Sequence, residues 1–391
     1  MPDERIGGSI AVAAAERLTP DTSREVADIV REASVDKTAL RIVGASHWLA
    51  AGHPVHATRT LDTSGLRGIV EYVPGDLTLT ARAGTTLAEL ADATSVHRQW
   101  LPLDPFGDPH GTLGATLATA SAGPLGGSIG MPRDMTLGLA FVSGDGVVVQ
   151  GGGRVVKNVA GFDLVRLTIG AWGTLGVITE ATVRLRARPE ADETFALELP
   201  PERDALSTLL STIRAASVDL LAAELLSPVC SARAGLGEPG SAQGVLLARV
   251  AGNAVAVHHQ RSALARLSAC EPISPETWAR LRASDPQGGT VVRVSRRPSE
   301  LGRLWSAAMS IPNLDAHATL ARGVVRLRLA TGDMTSLEAF DPGDRRVFES
   351  GMPTQGTPIE STPVSALARR LRDAFDPARI LNRGILGEEP S

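Results

Sequence analysis

Cysteine is almost missing. Of 391 residues only Cys230 and Cys270 carry a thiol. Two sulfurs so far apart cannot hold an iron–sulfur cluster alone, and they lack zinc-ligand spacing. A disulfide stays open, although two free thiols in a reducing compartment are the expectation. Lysine is just as scarce: Lys37 and Lys157 are the only two among 39 basic residues, which with the alanine richness reads as composition bias rather than chemistry. The net charge of −4 supplies no basic excess, which excludes a general nucleic-acid binder. No apolar run approaches the roughly 20 residues of a membrane span. The N-terminal stretch has acidic and polar flanks where a secretion signal has a basic region. The expectation is a cytoplasmic chain that meets a membrane only through a partner. No G-x-x-x-x-G-K-[ST] occurs, and no G-x-G-x-x-G opens a helix after a strand. A P-loop is thereby excluded and a Rossmann site is disfavoured.

What the chain does have is enough apolar content, 43% hydrophobic against 21% charged, to bury real cores in two or more domains. Apolar residues at helical spacing (Val26, Ile29, Val30, Ala33) predict a helix over 21–33. Strands are expected at 39–43, 68–73 and 78–83, and a helix at 86–94. Three prolines make 100–110 a loop. The small-residue run 114–121 reads as a tightly packed helix, and 137–150 as a hairpin turning at 143–146. A short helix follows at 164–169, then a strand at 177–185. Beyond about residue 189 the composition becomes that of an ordinary α+β domain. Its strands are expected near 194–199, 222–226, 245–250, 290–294 and 323–329. Its helices are expected at 203–216, 254–267 and 275–284. An amphipathic segment, 363–373, precedes the tail.

The most informative pattern is a series of small-residue turns. They are residues 44–48 (GASHW), 111–124 (GTLGATLATASAGP), 131–134 (MPRD) and 173–179 (GTLGVIT). Backbone this poor in side chains can approach a flat ligand closely, and its amides can converge on phosphate oxygens. Each turn alone also reads as a plain connection or a small-residue helix interface. The ordered set reads as a nucleotide-cofactor cradle.

That set, with 61–66 (LDTSGL), 80–84 (TARAG), 101–105 (LPLDP) and 157–164 (KNVAGFDL), resembles the FAD-binding domain of PCMH-type, vanillyl-alcohol-oxidase-like flavoproteins. Within that group it is most similar to the FAD-binding E subunit of glycolate oxidase, above all over 152–185. The resemblance covers about 40–188 strongly, plus the tail 367–382, and only weakly the region between. It implies an α+β fold: a two-lobed FAD-binding domain (1–189), a smaller α+β cap or interface domain (190–362), and a C-terminal segment (363–391) returning as a helix to the first.

The resemblance also implies roles for matching residues. Gly44, Ala45, Ser46, His47 and Trp48 would hold the pyrophosphate. Pro102 and Asp104 would flank the flavin or its ribityl chain. Gly111, Thr112, Gly114, Ala115, Thr119, Ala120, Ser121 and Gly123 would wrap the diphosphate and the ring edge. Arg133 and Asp134 would lie close to the cofactor, and the backbone of Gly176, Val177 and Ile178 would meet the adenine. Asn382 would bring the tail back, although Arg383 stands where the family often has proline. Several relatives bond a histidine at the position of His47 to the flavin, whereas E-subunit relatives carry Thr or Ser there. Both a covalent link and a simple phosphate hydrogen bond stay open.

Relatives that oxidise hydroxy acids often bring a cap histidine to the flavin, and His317 could be that base; a surface histidine beside a strand is the plainer expectation. The implied function is oxidation of a 2-hydroxy acid such as glycolate, with electrons passing to an acceptor other than oxygen. The implied partners are a D-type flavoprotein and an F-type iron–sulfur subunit, with no metal in this chain. A non-catalytic FAD-binding relay or structural subunit, and a stand-alone flavin oxidase of another alcohol, are the alternatives.

Overall fold

A computed structural model describes residues 16–153, 162–200, 202–216, 218–236, 244–283, 289–351 and 366–387. Residues 157–161 of the KNVAGFDL stretch lie outside these, as do the first fifteen and last four of the chain.

Among the described residues the first half holds two main sheets and a two-stranded ribbon of Gln99–Trp100 with Arg186–Ala187. Glu16–Leu18, Arg59–Asp62 and Leu40–Val43 form a parallel three-stranded sheet in that order. Ile69–Val73, Thr78–Arg82, Val177–Arg184, Thr136–Val142 and Val148–Gly152 form an antiparallel five-stranded one. The helix Ser23–Asp36 starts where the Thr22 hydroxyl accepts the Glu25 amide, and it buries Val26, Ala27, Val30 and Ala33. That face packs on Leu40 and Leu61 of one sheet and on Val142 and Val177 of the other, joining the lobes. The helices Leu87–Ser95 and Leu113–Thr119 cover the five-stranded sheet through Leu90, Leu113 and Leu117.

The second half builds one antiparallel sheet of eight strands. Their spatial order is Cys270–Ile273, Ala191–Glu198, Val245–Gly252, Ala222–Leu226, Asp315–Thr319, Val324–Leu329, Thr290–Ser295 and Arg345–Ser350. Alternation along each strand assigns two faces. Ala223, Leu225, Ala316, Ala318, Val325 and Leu327 point into a core shared with the helices Arg203–Ala215, Ala254–Leu267 and Leu301–Met309. The alternate residues point back at the first half, where Leu125, Ile129 and Met135 meet Ala222, Leu226 and Trp278.

The tail closes the molecule. Phe375, ending the helix Ala366–Phe375, packs on Phe141 at 6.0 Å between ring centres. Leu40 N–H donates to Ile380 O at 2.7 Å, and Asn382 N–H to Leu40 O at 3.0 Å. Both cysteines are free. No helix among the described residues is long and apolar enough to cross a membrane.

Most predicted elements appear within a residue or two of their expected ends. The strands Arg59–Asp62, Asp315–Thr319 and Arg345–Ser350 and the helix Leu301–Met309 were not anticipated. DAHAT alternates, but its apolar residues are only alanines, a weak signal, and RRVFES, at the sheet edge, has no alternation.

Candidate functional site

Leu40–Val43 ends at Gly44, where a Cβ would collide with the Thr112 hydroxyl that caps Leu113–Thr119. Only glycine lets the turn sit against that helix start. Ser46 follows at φ +65°, a left-handed conformation that costs a non-glycine residue about 1–3 kcal/mol. The N–H groups of Ala45, Ser46, His47 and Trp48 donate to no acceptor among the described residues. The neighbouring helix start differs. Its Leu113, Gly114 and Ala115 amides are engaged by Thr85 O, Ala83 O and Thr112 Oγ1 at 2.9, 2.8 and 3.3 Å. The donors open to an anion are those of the turn.

The facing wall is the segment 170–176. It is pinned to the end of Leu113–Thr119 by Gly170 N–H to Leu117 O at 3.0 Å and Trp172 N–H to Ala118 O at 2.8 Å. Trp172 meets Trp48 edge to face, 6.2 Å between ring centres. Asn382 ties the walls together: its Oδ1 accepts the Ile42 amide and its Nδ2 donates to Trp172 O, each at 2.8 Å. The cleft between the walls is partly open to solvent. Arg41 supplies a positive charge in its lining, with the guanidinium held by Leu49 O and its pKa lowered by burial.

Of the residues singled out in the sequence, Gly44, Ser46, His47, Trp48, Gly114, Ala115, Thr119, Gly176 and Ile178 line this cleft. Thr112 touches it through Gly44, and Gly111 faces the His47 ring. Val177 is fully buried in the core behind. Ala120 is the left-handed cap of Leu113–Thr119, with Ser121 beyond it. Arg133 and Asp134 are exposed, Asp134 accepting the Met131 amide at 2.8 Å. Asp104 is outside the cleft lining. It is 8% exposed, accepts the Leu125 amide at 2.9 Å, and burial pushes its pKa up to about 6 against the pull of Arg282 and of the Leu125 and Gly123 amides. Gly123 packs directly on it. Sequence reasoning missed Arg41 and Trp172, whose place in the cleft depends on strand direction and on a contact across the fold.

His317 is not a surface histidine: it is 1% exposed. Its place on Asp315–Thr319 puts it on the inward face of the eight-stranded sheet, paired across the ladder with Leu226 and Arg326. Its Nδ1 is 2.8 Å from Glu224 Oε2, and Nε2 has no hydrogen-bond partner. Burial, then the Arg328, Arg326 and Arg233 charges, push its pKa well down. Burial pushes Glu224 up to about 8. The pair is therefore a neutral imidazole beside a largely protonated acid. Phe106 seals it, its ring 5.2 Å from the imidazole and 4.1 Å from the Arg326 guanidinium.

With this geometry in view, the comparisons with known proteins are specific. The family described as "FAD binding domain" matches residues 14–152. Residues 14–152 are thus similar to an FAD-binding domain, and the cofactor is FAD. Glycolate oxidase subunit GlcE of Escherichia coli (strain K12) is 39% identical over 183 residues, 46% of this chain and 51% of the relative. Glycolate oxidase subunit GlcD of Bacillus subtilis (strain 168) is 31% identical over 235 residues, 59% of this chain and 50% of that one. D-lactate dehydrogenase of Archaeoglobus fulgidus is 30% identical over 52% of this chain and 47% of its own length. The matched part thus spans about half the length of these curated relatives. A solved alkyldihydroxyacetonephosphate synthase superposes over 94% of this chain and 75% of its own with a TM-score of 0.71; at 19% identity this shows the fold, cap included.

Proposed function

We infer that this protein is an FAD-binding subunit of a 2-hydroxy-acid-oxidising complex, with glycolate the first substrate to try. The observation that carries the cofactor half of this reading is the run of four unengaged amides at residues 45–48. They fit a pyrophosphate, with Arg41 supplying the countercharge and Asn382 holding the cleft shut behind it. The small residues Gly114, Ala115 and Thr119 floor the cleft for a flat group, and Gly176 and Ile178 its adenine end. Bound FAD would supply a two-electron acceptor for hydride from the substrate's α-carbon. The electrons would leave for an acceptor other than oxygen through D-type flavoprotein and F-type iron–sulfur partners. Supporting the need for partners, two free cysteines cannot carry a cluster. We divide the chain at 189 and 362, a reading supported by sheets confined to residues 16–187 and 191–350. The names of the relatives support the substrate class.

A second reading, a subunit whose FAD relays electrons or steadies the assembly without doing chemistry, is favoured by one observation. The histidine best suited to be a base lies sealed behind Phe106 and outside the cleft lining. The experiment is anaerobic addition of glycolate to the purified yellow protein, alone and with its partners, with a dye acceptor. Bleaching of the isolated chain supports the catalytic reading, whereas bleaching only in the complex supports the relay. Colourless, well-folded protein that takes up no added FAD would overturn both.

A further inference from the structure

Beneath the loop 100–109, on the side of the eight-stranded sheet, lie two adjoining spaces partly open to solvent, a smaller and a larger. They share Trp100, Leu101, Leu103 and Arg282, and neither shares a lining residue with the cofactor cleft. The larger space has mainly apolar walls and also carries Asp108 and Arg188; the smaller is more polar than apolar, with the indoles of Trp100 and Trp278 set beside Asp104, Arg249 and Arg282. Arg249 is already taken by Asp192 in a two-pronged pair at 2.8 and 2.5 Å. Arg282 borders both spaces and donates from Nε to Trp278 O at 3.3 Å. The buried Asp104 completes the polar set of the smaller one.

An apolar cavity with a few convergent polar groups is how small-molecule sites are built. The geometry points to a second ligand site, distinct from the cofactor cleft, for a small monocarboxylate with an apolar body: the carboxylate on Arg282, the body against Trp100 and Trp278. A guanidinium fork matches a carboxylate's two oxygens. A second anionic group on the ligand would face Asp104, which disfavours dicarboxylates. This site stands whether or not the chain oxidises hydroxy acids.

Asp104 gives the site a pH signature. Arg282 and Arg249 face it, Arg322 in the turn after Asp315–Thr319 and Glu224 on Ala222–Leu226 lie within electrostatic reach, and burial outweighs the pull of the arginines. Below about pH 6 the neutral acid can donate a hydrogen bond to the bound carboxylate; above it, an anion opposes one. Affinity should therefore rise as pH falls from 7.5 to 5.5.

The test is calorimetric titration of the full-length, FAD-loaded protein with phenylacetate, using phenylacetamide as the uncharged control. Saturable binding of phenylacetate, roughly tenfold tighter than the amide, is expected. Arg282→Gln should remove that preference. Arg282→Lys, which keeps the charge and the fold, should weaken it by losing the fork. Asp104→Asn should abolish the pH dependence of phenylacetate binding. No saturable binding, equal affinity for the amide, binding that disappears on FAD loading, or an Arg282→Lys protein that binds like wild type would each overturn the proposal.

Discussion

At residues 44–46 the chain keeps its side chains small, and over 45–48 it leaves main-chain donors unengaged. Under the eight-stranded sheet it does the reverse, crowding Glu224, His317, Arg326 and Glu349 together and pairing most of their polar atoms, His317 Nε2 and Glu224 Oε1 excepted. Arg326 Nε, for instance, donates to Glu349 Oε2 at 2.5 Å. The first region stores hydrogen-bonding capacity for something else to use; the second consumes most of its own. A buried cluster of titratable groups is thus not by itself a reaction site: here its pairs tie strands of one sheet together. The amide-rich turn, which contains little that titrates, has the stronger claim to a ligand.

The largest effect should come from breaking the turn. Gly44→Val drives a side chain into Thr112 and should loosen FAD by roughly a hundredfold or more, read as cofactor lost on gel filtration. His317→Leu, in the other region, should cost about 1–3 kcal/mol of stability because it leaves the Glu224 carboxyl without its partner. It should leave FAD content intact; loss of flavin from this variant would erase the contrast between the two regions. Arg41→Gln should weaken FAD by roughly tenfold with little change in melting temperature, a contribution typical of a charge-assisted contact.

A pH series sharpens the comparison further. Glu224 holds its proton to about pH 8 in the folded chain but releases it near 4.3 when unfolded. Over that interval the unfolded state binds fewer protons, so this carboxyl's contribution to stability falls as pH rises. His317, whose pKa is lowered on folding, acts oppositely, but only up to its unfolded value near 6.5. The decline should therefore stand clear between about pH 6.5 and 8, with a limiting slope of about 1.4 kcal/mol per pH unit. Glu224→Gln should flatten it, measured by urea unfolding at each pH. The smallest effect is Ser46→Gly, which relieves a left-handed serine and should change stability by under about 1 kcal/mol while keeping FAD.

Much of this was legible in the chain. Apolar spacing in SREVADIVREASVD and the small-residue turns marked the first helix and the cradle, because both signals are local. Gly44 and Ser46 announce themselves as turn residues before any fold is known. Arg41 does not: its role depends on the direction a side chain takes from one strand. His317 was harder still. Its burial comes from Phe106, more than two hundred residues earlier, and its partner Glu224 sits 93 positions away. Nothing in AHATL foretells either neighbour. Asp104 shows the same gap. Its motif suggested the flavin, whereas its carboxyl lines a separate cavity with Trp278 and Arg282, residues of a different region of the chain.

One side chain sets the order in which the cleft can mature. Asn382 clasps Ile42 across 340 positions and Trp172 across 210. A ribosome must therefore deliver the chain through that asparagine before the cleft can be latched. Until then the nascent N-terminal half can fold its sheets but holds its cofactor pocket ajar, and chains cut short of that asparagine should emerge folded in part yet pale.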